Sequence, residues 1–386
     1  MNQPQQQKQI NENDKVYALI LAGGLGARVI QTVFIRSLIK QRKQDKNSYP
    51  ILVIDNSLIG MMVSEALSNQ NIMGLSIPEG GMQWPHDPGL IPQKSGLQEH
   101  AMFVDSWRMQ NQQYTQQGAG SWHKLIKNNM ERAYQIEYGF SLTKLITKHR
   151  YISEEKSFIG YLYAKTMTDG LEYDGGLPML KRTQTNVELK NHLDGMNKPF
   201  ILLHLGVDRN PNEFMNGINY RTFKVWSIER WAELVQKLKN KYNFLQVHAN
   251  QYNTTIPDCL SIKVDNLNPV LQVLEHPKCK TFMSIDNYLP HLAASIKKRG
   301  IVLWGSVSPY VWGWKHNINI WNQSSCDQGD IACWRPGIFD TDQQGKIWVC
   351  PSYSCMQSIS IEQVVKSLNK LELILDNEKD KGMVTL

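Results

Sequence analysis

No run of apolar residues in this 386-residue chain approaches the ~18–20 needed to cross a bilayer, so no membrane-spanning helix is expected. Nor is a secretory leader expected. The N-terminus, MNQPQQQKQINEND, is polar and rich in Gln and Asn, unlike a secretory signal. Residues 1–15 read as a disordered tail, and a cytoplasmic location is expected. Nor is there a dense basic block. Lys and Arg number 42 against 35 Asp and Glu, a net charge of +7, but KQRK at 40–43 and KKR at 297–299 are short and suit solvated helix ends. The mild excess favours an anionic ligand, whether a sugar nucleotide, nucleic acid or an anionic headgroup, and singles out none of them.

Cysteine is scarce outside one region. Cys259 and Cys279 stand alone and read as buried thiols. The other four, Cys326, Cys333, Cys350 and Cys355, follow a C-x6-C-x16-C-x4-C pattern. In a cytosolic chain such clustering points to a four-cysteine zinc or iron site, with two disulfides as the alternative. Charged residues make up only 20% of the chain and hydrophobic ones 41%, a globular balance, and the length suits two domains. The 11 Trp and 15 Tyr are many. Most of them are expected to fill cores, although such rings also line sugar and base pockets.

The most informative stretch runs from Ser284 to Pro309, SIDNYLPHLAASIKKRGIVLWGSVSP. A short apolar strand ends in Asp286. Asn287 and His291 then open a small-residue helix, and a second strand, Ile301 to Trp304, ends in Gly-Ser. Strand, helix and strand in this order are the parallel-sheet unit, with polar residues at the carboxyl edge where open α/β sheets bind ligands. A helix start at that edge suits a diphosphate.

Elsewhere, Tyr17 to Leu21 reads as a strand that enters AGGLGAR (22–28) and then a helix over 29–43; a second strand spans 51–54 and ends in Asp55. Residues 80–120 read as loops with a strand at 102–104, and 122–136 and 142–163 read as helical. The Gly- and Asn-rich stretch 164–197 reads as the boundary between domains over 16–185 and 198–386. The second begins with a strand at 200–205, continues with a helix at 227–239 capped by Ser227, and has a further strand at 244–248.

LILAGGLGAR superficially matches the sugar-nucleotide pyrophosphorylase loop, but Ala27 stands where those enzymes have Thr and their downstream elements are missing. A lone glycine loop is a weak signal. The chain more closely resembles glycosyltransferase family 9, which contains the lipopolysaccharide heptosyltransferases. Gly23-Gly24-Leu25-Gly26, followed by Val29, Thr32 and Leu38, resembles its opening. Lys224-Val-Trp226-Ser-Ile-Glu229-Arg-Trp231-Ala-Glu-Leu234 is similar to its K-x-W-P-x-E-x-W-A-x-L. Asp286-Asn287, His291 and Ala293-Ala294 resemble its D-[ST]-x-x-x-H-x-A-A, and Leu303 to Pro309 resembles its L-[FW]-G-x-[ST]-x-P loop. Cys355-Met356 to Val364 looks like its C-M-x-x-I-x-x-E-x-V ending, near which protein heptosyltransferases carry a four-cysteine finger. The likeness is dense over 200–368, thinner over 16–60 and absent over 65–195.

The resemblance implies a GT-B fold: two Rossmann-like domains facing across a cleft, with a cysteine finger at 326–355. It implies an inverting hexosyl-, heptosyl- or pentosyltransferase using a nucleotide-diphosphate sugar. Gly24, Gly26, Arg28, Lys224, Asp286, Asn287, His291, Gly305 and Ser306 would bind the donor, and the zinc or iron would be structural. The aspartate that family members use as general base is missing, with Ala27 and Arg28 in its place. Asp105 is the first substitute, followed by His86 and Asp87. The acceptor is expected to be a glycan or a protein, or a modified DNA base as in a phage-type enzyme, and the chain a homo-oligomer. A catalytically degenerate nucleotide-binding module is the rival from a different class.

Overall fold

A computed structural model describes residues 16–21, 25–46, 49–55, 57–76, 130–135, 174–206, 214–215, 218–219, 225–248, 255–264, 266–305, 309–322 and 354–380. Two parallel sheets organise it. The first is four-stranded: β1 (Val16–Ile20), β2 (Ile51–Asp55), β3 (Ile72–Ser76) and β4 (Met130–Gln135), in the order β3-β2-β1-β4. Helix α1 (Leu25–Gln31) passes through a single 3-10 turn into α2 (Ile35–Gln44), and α3 (Ile59–Ala66) joins β2 to β3. Asp55 is fully buried at the end of β2. Its carboxylate accepts from the Ser57, Ile59 and Gly60 N–H groups at 2.9, 2.9 and 3.1 Å and from the Ser57 hydroxyl at 2.6 Å. Those bonds satisfy the orphan donors at the start of α3.

The segment 122–136, expected to be helical, contributes β4 instead. MERAYQ carries strong helix formers, but it pairs in parallel with β1 from Val16 to Ile20, and that ladder overrides local propensity. The expected strand at 102–104 and helix at 142–163 lie outside the described residues.

A bridging segment follows. Arg36 grips Asp174 with two hydrogen bonds, at 2.5 and 2.7 Å, which hold that carboxyl below its ordinary pKa. Lys181 N–H then donates to Met62 O at 3.1 Å. Thr183 N–H donates to Asn268 Oδ1 at 2.8 Å and Asn186 N–H to Gln272 Oε1 at 2.8 Å, so one chain segment fastens the first sheet's helices to a helix of the second. Helix α4 (Val187–Asp194) starts at Asn186, whose side chain accepts from Leu189 N–H.

The second sheet has six strands: β5 (Phe200–His204), β8 (Asn243–His248), β9 (Cys259–Lys263), β10 (Cys279–Ile285), β11 (Gly300–Trp304) and β12 (Ile318–Trp321). A two-residue ladder, β6 (Phe214–Met215) with β7 (Ile218–Asn219), lies apart from it. Helix α5 (Ile228–Leu238) is capped by the Ser227 side chain, which accepts from Arg230 N–H. The remaining helices are α6 (Leu267–Glu275), α7 (Leu289–Ser295), α8 (Pro309–Trp312), α9 (Ser354–Gln357) and α10 (Ile361–Asp380). Strands covered on both faces read as unbroken apolar runs, as FILLH and GIVLW do. Their alternation splits the core in two. Phe200, Leu202, Phe282 and Val302 face α6 and α7 and join the first sheet's core. Ile201, Leu203, Met283 and Leu303 face α5 and α10. Cys279 is buried as expected, whereas Cys259 is only half-buried.

Candidate functional site at the meeting of two sheet edges

The strand order of the second sheet, β12-β11-β10-β5-β8-β9, reverses between β10 and β5. At such a switch point the connections leave in opposite directions and open a crevice at the carboxyl ends. Here those ends carry His204, Leu205 and Gly206 on one side and Asp286 and Asn287 on the other. The Asn287 side chain spans the gap. Its NH2 group lies 2.9 Å from His204 Nδ1, 3.3 Å from His204 O and 3.1 Å from Gly206 O. Its oxygen accepts from the Leu289 N–H and the Ser284 hydroxyl, both at 2.9 Å. A serine or threonine in this place would be too short to make all these links, so the asparagine ties the two strand ends together.

His291 sits on α7, 4% exposed. Its Nδ1 accepts from the Trp314 indole N–H at 2.9 Å. Tyr288, just before that helix, presents its ring edge-on to His204 with centroids 4.8 Å apart. Asp286 is buried at the end of β10, and Gly305 follows β11 with its carbonyl accepting from Trp321 Nε1 at 3.1 Å.

The first sheet reaches this crevice through α1. A Cβ placed on Gly26 would lie 3.1 Å from His291 Cδ2 and 3.3 Å from Tyr288 Cα. Only glycine permits that approach without displacing a neighbour. Arg28 is on the same helix, half-buried. Six of the expected positions are described here or near here: Gly26, Arg28, Asp286, Asn287, His291 and Gly305. Gly24, Lys224, Ser306, Asp105, His86 and Asp87 lie outside the described residues. So do Cys326, Cys333 and Cys350; Cys355 is buried in α9. Among the described residues no group of three or more His, Cys, Asp or Glu could hold a metal ion.

Sequence reasoning passed over His204, Tyr288 and Trp314. A histidine closing the apolar strand FILLH was the one available signal. The Lys224 motif contains a second surprise. Trp226 is fully buried, packs edge-on against Trp231 with centroids 5.0 Å apart, and donates to Ile359 O at 3.0 Å. Arg230 adds hydrogen bonds to Gln357 O and, at 2.9 Å, to Ile359 O. This motif therefore clamps the segment that follows Cys355.

Two parallel α/β sheets meeting at their carboxyl edges place the chain with glycosyltransferases of the GT-B architecture. A sequence model of glycosyltransferase family 9 (heptosyltransferase) matches residues 129–329, more than half of the chain, and the chain belongs to that family. Solved structures agree on the fold. The family 9 glycosyl transferase of Veillonella parvula has a TM-score of 0.51 at 15% identity, covering 94% of this chain and 99% of its own. TibC, an iron-containing dodecameric glycosyltransferase of enterotoxigenic E. coli, has a TM-score of 0.56 at 13% identity, covering 95% and 80%. TibC in complex with ADP-D-beta-D-heptose gives 0.52 at 14% identity, covering 95% and 80%. No curated protein matches the chain. Among the described residues no helix is long and apolar enough to cross a membrane.

Proposed function

We propose that this glycosyltransferase inverts the anomeric centre while moving a sugar, with a heptose as first candidate, from a nucleotide-diphosphate sugar to a hydroxyl of a glycan or protein. The observation that carries this reading is the close approach of Gly26 to His291 and Tyr288, which brings the start of α1 against the switch point of the second sheet. The donor diphosphate would lie in that crevice, held by Lys224, Gly24, Gly26, Arg28, His291, Gly305 and Ser306. Because its amide is engaged with His204, Gly206, Ser284 and Leu289, Asn287 shapes the crevice, and Asp286 beside it borders the sugar. TibC's complex with ADP-D-beta-D-heptose makes an ADP-sugar the first donor to try.

In the reaction the acceptor oxygen bonds to the anomeric carbon as the carbon–oxygen bond to the diphosphate breaks. The leaving nucleoside diphosphate keeps the electron pair, cations and N–H donors stabilise its charge, and a base takes the hydroxyl proton. Asp105 is our first candidate base, followed by His86 and Asp87.

For the four-cysteine site, the one described member favours a structural role. Cys355 is buried in α9, and the next residues are clamped by Trp226 and Arg230, so its thiol is held on a fixed backbone. Zinc or iron on Cys326, Cys333, Cys350 and Cys355 would supply a cross-link, since four thiolates leave no open position for a substrate. TibC contains iron and is dodecameric, and we propose a metal-bearing homo-oligomer here too, working in the cytoplasm.

Thermal shift against ADP-, UDP- and GDP-sugars beside their free diphosphates tests the reading. A ligand at a hundred times its Kd stabilises by about 2.7 kcal/mol. One nucleotide family should raise Tm, and Lys224→Ala should abolish the shift. No shift with any nucleotide refutes the donor site. Elemental analysis of wild type and Cys355→Ser tests the metal, and light scattering tests the assembly.

A further inference from the structure

A cavity of about 460 Å³ opens where α7 ends and the bridging segment passes between the two halves of the molecule. That volume falls within the ~300–1,000 Å³ typical of small-molecule sites. Arg36 on α2, Ala66 at the end of α3, Leu177 and Met179 of the bridging segment, and Ser295 and Lys297 at the end of α7 form its walls. The walls are mainly apolar, and their charge comes from two cations. Arg36 is neutralised by Asp174 through two hydrogen bonds, and it donates a third to Leu177 O at 2.8 Å. Lys297 has no such partner: among the described residues its ammonium makes no ion pair or hydrogen bond.

The backbone makes that lysine more telling. Lys297 N–H donates to Ala294 O at 3.0 Å and Lys298 N–H to Ala293 O at 2.9 Å, the paired bonds of a Schellman cap. The cap sets Lys297 at φ 59°, a left-handed conformation that glycine usually fills because it has no Cβ to clash. Neither bond uses the side chain, so the cap by itself favours glycine at 297. Attraction of the ammonium to the carbonyl end of α7 is the competing account, and it requires the fold to weaken when the lysine is removed.

We propose that this cavity is a binding site for a small carboxylate with an apolar body, its charge met by Lys297 and its chain lying against Ala66, Leu177 and Met179. One unmatched cation suits a monoanion, and the apolar walls suit the chain behind it. Such a ligand would touch α2 and α3 on one side and α7 on the other. Helix α2 continues α1, whose Gly26 lies against His291 on α7, so the ligand would fix the same helices that border the crevice. It should therefore strengthen nucleotide binding, and nucleotide should strengthen its binding by the same factor. That coupling rests on the reading of the crevice as the nucleotide-sugar site. The carboxylate site does not.

The test titrates octanoate into the full chain by calorimetry. Octanol supplies the chain without the charge, and acetate the charge without the chain. Octanoate should bind at least about tenfold more tightly than either. Lys297→Gly should unfold at a higher urea concentration than wild type, because glycine suits the left-handed position. The same variant should bind octanoate about fivefold more weakly, a loss between that of an exposed ion pair and that of a charged hydrogen bond. Equal affinity for octanoate and octanol, or octanoate binding unchanged in Lys297→Gly, overturns the site. A Lys297→Gly chain less stable than wild type shows that the lysine serves the helix end and overturns the argument from the cap. Saturating octanoate should raise the affinity of the wild type for ADP about fivefold. An unchanged ADP affinity overturns the coupling and leaves the carboxylate site standing. Octanoate binding without any ADP binding overturns the donor-site reading instead.

Discussion

Gly26 gives the sharpest test of how closely the two sheets approach. An alanine Cβ there would sit 3.1 Å from His291 Cδ2 and 3.3 Å from Tyr288 Cα, against the ~3.5–4.0 Å at which carbon atoms pack comfortably. One side must retreat by several tenths of an ångström, and neither yields easily. His291 is tethered by Trp314, and Tyr288 is met at its main chain, whose carbonyl accepts from His291 and Leu292 N–H at 3.1 and 3.0 Å. Crowding of this kind costs about 1–3 kcal/mol. Alanine recovers up to ~1 kcal/mol, because it favours the helix and restricts the unfolded chain. Gly26→Ala should therefore be destabilised by only about 0–2 kcal/mol in urea. Gly26→Val, with a branched Cβ and no compensation, should lose about 2–4 kcal/mol. Because the cheapest relief is to move α1 away from α7, nucleotide affinity should fall as well, by about tenfold for the alanine variant, or about 1.4 kcal/mol. The pair is measured by urea unfolding and by nucleotide titration. A Gly26→Ala chain that is more stable than wild type and binds nucleotide equally well would show that the approach is not close in solution.

Three further outcomes are expected. Asp55→Asn turns one carboxylate oxygen into a donor facing buried N–H groups, and should lower stability by about 2–3 kcal/mol in urea unfolding while leaving nucleotide affinity within a few-fold of wild type. Trp226→Ala empties a fully buried site and removes one of the two bonds that Trp226 and Arg230 make to Ile359 O; it should cost about 3–5 kcal/mol, and limited proteolysis should then cut near α9. Burial, aided by the Arg299 charge, pushes the His316 pKa down to about 4 from an ordinary 6.5, so the unfolded chain takes up the proton first as pH falls. Its contribution, of order 3 kcal/mol, should be complete above pH ~6.5 and lost progressively toward pH ~4. Chemical denaturation at pH 7.5 and pH 5 should show a smaller loss in His316→Phe than in wild type, and an equal loss would refute the assignment.

Much of the second sheet was legible because parallel strands are buried on both faces and leave unbroken apolar runs. FILLH, NFLQVH and GIVLW fall within a residue of the expected bounds, and Ser227 caps its helix as read. MERAYQ has no such run. Its strand character comes from the neighbouring β1 ladder, which no window of local sequence contains. The first helix includes Leu25 rather than starting at 29, because Gly26, which reads as part of a turn, is accommodated in a helical turn.

The site divides along the same line. The order strand, polar residues, helix is local, and it was enough to put Asp286, Asn287 and His291 at a carboxyl edge. What each atom is left to do depends on partners far away in sequence. His204 is 83 residues from Asn287 and Trp314 is 23 from His291. Those contacts engage the Asn287 amide and the His291 Nδ1. Asn287 reads as a donor-site residue in the sequence, and in the fold its amide also ties the ends of β5 and β10 together. His291 reads as a donor-site residue in the sequence, and in the fold its Nδ1 accepts from one indole. A motif can name the edge at which chemistry occurs, but the hydrogen-bond partners decide which of its atoms remain to meet a substrate. Trp314, absent from the motif, is for that reason as informative a residue to mutate as any within it.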